Sequence, residues 1–264
     1  MCKQNIIEIN NFSKNYKKTT AVKNLSLKIK KGSFFGFIGP NGAGKTTTVN
    51  FIAGLLKRDA GELKVDGEII TDSSYKYKGK IGFILEKPLY IEKLTGREYL
   101  YFTGQMQNVD LKTVKQRTDE LLDFLELTEK KDKLIETYSI GMKRKISIAA
   151  ALIHNPKILI LDEPFEGIDP ISVKKIKENL KLMVKKGKTI FLTSHVLEIV
   201  ESLCTDIAII NKGEIVYNGT INDLYERFKL SGSQDEKLNL EEIFMKLVAQ
   251  DEQKSQLSWI KDKV

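Results

Sequence analysis

Phe34-Phe35-Gly36-Phe37-Ile38-Gly39-Pro40-Asn41-Gly42-Ala43-Gly44-Lys45-Thr46-Thr47 decides how the rest of the chain is read. Its first five residues form a short apolar run bounded by glycines, which predicts a buried parallel strand. Gly39 to Thr46 then fits the spacing G-x-x-x-x-G-K-[ST], and the residues from Thr46 onward have the length for a helix. A glycine-rich loop between a strand and a helix lets the backbone curl until successive N–H groups face one point. The positive end of the helix faces the same point, so the loop can hold phosphate oxygens. In that pattern Lys45 reaches the β and γ phosphates and the Thr46 hydroxyl ligates Mg²⁺. The stretch establishes binding of a nucleoside triphosphate, ATP or GTP.

Working outward, a second strand ends in acids: Ile158-Leu159-Ile160-Leu161-Asp162-Glu163. It delivers two carboxylates to the C-terminal edge of a parallel sheet, where ligands of α/β proteins bind. Asp162 is placed to hold Mg²⁺ through water, and Glu163 to orient or deprotonate the water that attacks the γ phosphate. Thr189 to Thr193 is another short apolar strand, separated from the first by a lysine-rich helix near residues 173–186. That arrangement is a strand-helix-strand unit and an α/β core. Near the N-terminus, Leu25, Leu27 and Ile29 alternate with Ser26, Lys28 and Lys30, the period of a sheet with one wet face. Asp66-Gly67 marks a hairpin. From about Thr95 to Ile153 the apolar spacing becomes helical. Ser231-Gly232-Ser233-Gln234 reads as a surface linker before an amphipathic helix carrying Leu240, Ile243, Phe244 and Leu247.

Composition narrows the class. The chain has 264 residues, 41% hydrophobic and 30% charged, the balance of an ordinary globular protein. Its two cysteines, Cys2 and Cys204, cannot form a disulfide framework or a structural zinc site. No signal peptide is expected, nor any apolar run of the roughly 18 residues that span a bilayer. The net charge of +8 comes from lysines spread from end to end. Short clusters such as Lys143-Arg144-Lys145 lack interleaved aromatic residues, so they read as solvated faces and no nucleic-acid partner is expected.

With these motifs in this order, the chain resembles the nucleotide-binding subunits of ABC transporters over nearly its whole length. The resemblance implies a P-loop NTPase (RecA-like) α/β core with an N-terminal antiparallel β-subdomain and an inserted α-helical subdomain at about 87–153. The ATPase domain would run over 1–230, with a C-terminal helical tail at 231–264. Tyr138-Ser139-Ile140-Gly141-Met142-Lys143 stands where the family keeps L-S-G-G-Q, with Ile140 in place of a glycine. The resemblance implies that Ser139 and Gly141 contact the γ phosphate held by a second ATPase subunit, in a homodimer or heterodimer. A helix N-cap at Ser139 is the plainer alternative.

His195 matches the family's switch histidine, a hydrogen-bond sensor of the γ phosphate. Gly167-Ile168-Asp169 resembles the D-loop that crosses the dimer interface, and by sequence alone is a turn. Tyr16 matches the aromatic that stacks on adenine, the alternative being a buried core tyrosine. Glu86 stands where most relatives have glutamine. It offers an oxygen to Mg²⁺ or water and adds negative charge near Asp162 and Glu163, unless it pairs with Lys87 or another base. His154 receives no role. The resemblance implies an ATPase at the cytoplasmic face of the membrane, powering an integral membrane permease, and is strongest to ABC-2 type exporters that include peptide-antibiotic resistance pumps. The alternative is a soluble ABC ATPase acting in cluster assembly or on ribosomes or DNA.

Overall fold

The computed structural model describes residues 4–17, 19–88, 90–229 and 238–248. The expected linker at Ser231 to Gln234 and the chain beyond Val248 lie outside them. In chain order, β1 (Asn5–Tyr16), β2 (Thr19–Lys30) and β3 (Phe34–Ile38) lead to α1 (Lys45–Ile52), followed by β4 (Ala60–Val65), β5 (Glu68–Ile70) and β6 (Ile81–Ile84). Three helices follow, α2 (Gly96–Met106), α3 (Leu111–Phe124) and α4 (Ile140–Leu152). The chain then continues through β7 (Ile158–Asp162), α5 (Pro170–Lys185), β8 (Thr189–Thr193), α6 (Leu197–Leu203), β9 (Asp206–Asn211), β10 (Glu214–Thr220), α7 (Ile221–Lys229) and α8 (Leu240–Val248).

These elements make two sheets. An antiparallel sheet has the order β2-β1-β4-β5, and a six-stranded sheet has the order β10-β9-β3-β8-β7-β6. In the second, β6, β7, β8, β3 and β9 run parallel, and β10 returns antiparallel beside β9. The parallel strands read as continuous apolar runs because both faces are covered. Ile158, Ile160, Phe35, Phe37 and Phe191 face the antiparallel sheet and α1. Leu159, Leu161, Ile190 and Leu192, one residue out of phase with their neighbours, face the helical layer. In β2 only Val22, Leu25, Leu27 and Ile29 are buried, and the lysines between them stay wet. The sequence expectation of a one-sided sheet holds there.

The helical segment is fixed by its caps. Thr95 and Glu98 form a reciprocal capping box at the start of α2, and Asp110 accepts from the Thr113 N–H at the start of α3. Asp169 caps α5 through the Ser172 N–H, with Pro170 in the first turn where its missing donor costs nothing. The described part of the expected tail is a helix whose Leu240 and Ile243 are fully buried in the helical-layer core.

The helical segment is pinned to the sheet where α4 crosses β6. A Cβ at Gly82 would lie 2.2 Å from the Ala151 carbonyl oxygen and 2.8 Å from Leu159 Cδ2. Backbone cannot yield like a flexible side chain, so Gly82→Ala must push the end of α4 off the sheet. Overpacking of this kind costs about 1–3 kcal/mol. The expected result is a thermal midpoint lowered by about 5 °C in a calorimetric scan.

Candidate functional site

The site forms at the C-terminal edge of the parallel strands. The phosphate loop follows β3, Glu86 follows β6, Glu163 follows β7, and Ser194-His195 follows β8. Four strand ends therefore deliver their side chains to one crevice. The cavity there has a volume of about 420 Å³, and its walls include Lys45, Thr46, Glu86, Asp162, Glu163 and His195. A hollow of similar volume, about 430 Å³, lies between α6, α7 and α8. No strand of the parallel sheet ends in it, so position and chemistry, rather than size, single out the first.

Gly44 adopts φ +111°, and a Cβ there would meet the Ala21 carbonyl oxygen at 2.7 Å, so only glycine suits this turn into α1. No side chain caps the first turn of α1. The N–H groups of a first turn have no acceptor within the helix, so these donors suit an anion. Lys45, 8% exposed, folds back and donates to the Gly39 and Pro40 carbonyls at 2.7 and 3.2 Å. Burial lowers its pKa, opposed by the charges of Glu163, Asp162 and Glu86. Three carboxylates thus surround one lysine, which favours the charged ammonium needed to meet a polyphosphate.

Asp162 is 2% exposed and accepts the Thr193 hydroxyl through Oδ1. Its Oδ2 is buried without a hydrogen-bond partner. Burial is the main cause of its raised pKa, and the negative charges of Glu86 and Glu163 add to it. An orphaned buried carboxylate oxygen facing further acids is an environment that a cation relieves. Thr46 Oγ1 donates to Glu86 Oε2 at 3.1 Å, which brings two other candidate oxygens together across 40 residues of chain. Glu86 therefore pairs with the phosphate-loop threonine, and among the described residues it forms no ion pair with Lys87 or another base. The donor set suits Mg²⁺. Among the described residues no three His, Cys, Asp or Glu side chains form a metal cluster. A divalent ion would therefore need the Thr46 hydroxyl and nucleotide oxygens as well.

Glu163 carries a left-handed backbone, φ +49°, unusual for a residue with a Cβ. Its N–H donates to the Thr193 carbonyl at 3.2 Å, and Oε2 lies 3.0 Å from His195 Nδ1. Strain of this kind gathers at functional sites and is held by the surroundings. The Glu163 carboxylate is 15% exposed and the His195 ring 63% exposed, so the acid sits inward and the imidazole at the mouth.

Tyr16 is 47% exposed at the end of β1, with the Lys14 ammonium 5.7 Å from its ring centroid. This exposure contradicts the buried-core alternative and suits a stacking face, although Tyr16 is not a wall of the cavity. Ser139 caps α4 by accepting from the Met142 N–H at 3.2 Å. The plainer expectation of a helix cap is thus realised, while Ile140 beside it is 77% exposed. Gly141 backs onto the Gly167 carbonyl, 2.5 Å from where a Cβ would sit. Neither Ser139 nor Gly141 lines the chain's own cavity. His154, given no role, lies 3.2 Å from the Ile81 carbonyl through Nε2 and ties the end of α4 to β6.

Three features are new relative to the sequence reading. Ala21 and Glu166 line the cavity, and Thr193 holds Asp162. Arg144 and Lys145, expected on a solvated face, are buried at 7% and 8% exposure. Lys145 pairs with Asp169 at 3.1 Å, and Arg144 donates to the backbone beside Glu86. A run of three charges carries no signal of burial, because partners 24 to 59 residues away decide it.

Comparison with known proteins gives a consistent answer. Residues 22–166 match the ABC transporter family model. The linearmycin resistance ATP-binding protein LnrL of Bacillus subtilis (strain 168) is 44% identical over 222 residues, which span 84% of this chain and 71% of the relative. The bacitracin transport ATP-binding protein BcrA of Bacillus licheniformis is 34% identical over 223 residues, spanning 84% and 72%. A solved dimer of the ATP-binding cassette MJ0796, in a post-hydrolysis state with ADP and Pi, is similar with a TM-score of 0.75 and 28% identity. That likeness covers 81% of this chain and 98% of the cassette. A cassette core with intact phosphate, acid and histidine motifs, and relatives of this identity over most of its length, make the chain an ATP-hydrolysing member of the ABC transporter ATP-binding family.

Proposed function

We propose that the chain powers an exporter of peptide-like or other antimicrobial molecules, working through a separate integral membrane permease at the cytoplasmic face of the membrane. The observation that carries this reading is the convergence of Lys45, Thr46, Glu86, Asp162, Glu163 and His195 on one cavity. In it, the loop N–H groups and Lys45 bind the phosphates of ATP. Thr46, Asp162 and Glu86 hold Mg²⁺, which neutralises charge on the phosphate oxygens when bound. Glu163 orients and deprotonates the attacking water. His195 holds Glu163 in place through Nδ1 and meets the γ phosphate at the cavity mouth. Tyr16 offers its exposed ring to adenine.

The site is completed by a second ATPase subunit. Ser139 and Gly141 stand outside the chain's own cavity, and the similarity to a dimeric cassette supports their service to a partner's nucleotide. The permease docks in the cleft of about 360 Å³ between the sheet core and the helical segment, lined by Leu55, Phe83, Leu85, Pro88, Tyr99 and Ala150. Leu85 and Pro88 flank Glu86, so the docking cleft and the nucleotide cavity share one loop. A shape change at Glu86 on loss of the γ phosphate therefore reaches the permease directly. No described helix is long and apolar enough to cross a membrane. The names of the relatives support a resistance or antibiotic cargo.

The test is co-expression with candidate permeases, solubilisation in mild detergent and affinity capture through this chain. A multi-helix permease is expected to co-purify, and its capture is expected to fail when Leu85 is replaced by Asp. Sedimentation with ribosomes or DNA, with no permease retained, would overturn the transport reading.

A further inference from the structure

We infer that Arg144 is the positioning residue that couples the Glu86 loop to the N-terminus of α4, and so links occupancy of this chain's site to the readiness of Ser139 and Gly141 for the second one. The inference rests on the reading that those two residues serve a partner's nucleotide.

Arg144 lies five residues beyond Ser139, on the same helix. Its side chain is 8% exposed, and its guanidinium donates to the Leu85 and Glu86 carbonyls at 3.0 and 3.1 Å. The nearest carboxylate, Glu166, is 3.6 Å away and 64% exposed, too far and too wet to be the main partner. The two carbonyls therefore carry most of the compensation for burying an always-charged group. A guanidinium is rigid and planar, so a fork on two successive carbonyls fixes both the distance and the orientation between α4 and the loop. Lysine, a point charge on a flexible stem, can reach a carbonyl but does not fix the orientation between the two elements.

The two ends of this link are defined independently. At one end, Glu86 accepts the Thr46 hydroxyl at 3.1 Å, so the phosphate loop and Arg144 grip the same residue by its side chain and its backbone. At the other, Gly141 sits against the Gly167 carbonyl, four residues beyond Glu163. The neighbours of Arg144 point elsewhere. Lys143 pairs with Glu92 at 2.9 Å within the helical segment, and Lys145 with Asp169 at 3.1 Å. Successive helical residues diverge by about 100°, so the three cations tether α4 in three directions. Only Arg144 reaches the nucleotide loop. When MgATP draws Thr46 away from Glu86, the loop shifts, and the fork carries the shift to α4.

The test compares Arg144→Ala and Arg144→Lys in the full chain, with MgATP as the probe. Three readouts are taken: affinity for a fluorescent ATP analogue, the ATP concentration at which the Glu163→Gln form dimerises, and amide hydrogen exchange at residues 85–88 and 139–145. Affinity is expected to stay within about twofold, while dimerisation requires at least about tenfold more ATP in Arg144→Ala and an intermediate amount in Arg144→Lys. MgATP is expected to slow exchange in both segments of the parent, but only in residues 85–88 of Arg144→Ala. Unchanged dimerisation, or an exchange response in 139–145 that survives the substitution, would overturn the coupling. So would parallel losses of affinity and thermal midpoint with Lys no better than Ala, which mark a purely structural role. If the Glu163→Gln parent binds ATP without dimerising, the two-subunit reading fails, and the exchange readout alone decides whether Arg144 couples the loop to α4.

Discussion

Glu163→Gln is expected to abolish steady-state ATP hydrolysis, by about 10²–10⁴-fold, while leaving ATP binding intact. Glutamine keeps the shape of the side chain and an oxygen that can meet His195 at the 3.0 Å site, but it cannot take a proton from water. The backbone at φ +49° is held by the Glu163 N–H to Thr193 bond, which the substitution leaves in place. On the proposed reading phosphate binding uses the loop and Lys45, and the substitution leaves Asp162 and Glu86 to favour the charged lysine. A coupled assay of phosphate release, beside a fluorescent-nucleotide titration, separates the two effects. Parental turnover in the variant would remove Glu163 from the role of base.

Lys45→Ala is expected to fail one step earlier. Without the ammonium, Asp162, Glu163 and Glu86 face the incoming polyphosphate with no side-chain cation among them, and like charges disfavour its entry. Hydrolysis should fall by at least about 10²-fold, the scale of losing one well-placed phosphate donor. The chain should still fold. Among the described residues the Lys45 ammonium bonds only to the carbonyls of its own loop, and burial disfavours its charge in the absence of nucleotide. The diagnostic is thermal. Ligand at 100 times its dissociation constant stabilises a native state by about 2.7 kcal/mol. MgATP should therefore raise the midpoint of the parent and of Glu163→Gln, and leave that of Lys45→Ala unmoved. A parental rise in Lys45→Ala would show that the loop N–H groups bind ATP without the lysine.

Much of this machinery was legible in the sequence because it is local. The phosphate loop needs glycine at turns, lysine and a hydroxyl within nine residues, and β3 and β8 begin and end where their apolar runs do. Asp162 and Glu163 announce themselves as acids closing an apolar strand. The ATPase reading and the α/β architecture followed from these, and the family comparison agrees with both. What stayed hidden depends on distance. Glu86 lies in no acidic strand end of its own, and only the strand order, with β6 beside β7, brings it to Thr46. Asp206–Asn211 carries no motif to mark it, yet it pairs directly with β3. Lys143, Arg144 and Lys145 look alike as a run of charge, and only packing distinguishes the partly exposed Lys143 from its buried neighbours. Ser139 shows the converse, since a cap and a phosphate contact call for the same hydroxyl at the same helix start.

On the proposed reading the chain is half of an ATP-dependent clamp. The phosphate loop, the acids and His195 form one wall, and the residues expected to close it, Ser139 and Gly141, stand on another surface of the chain. The most direct test is the molar mass of the Glu163→Gln chain in solution, measured by light scattering with and without MgATP. The account predicts a monomer without nucleotide, a dimer holding two ATP molecules with it, and loss of that dimer when Ser139 is also replaced by Arg. A chain that binds ATP with unchanged affinity and remains monomeric would contradict it.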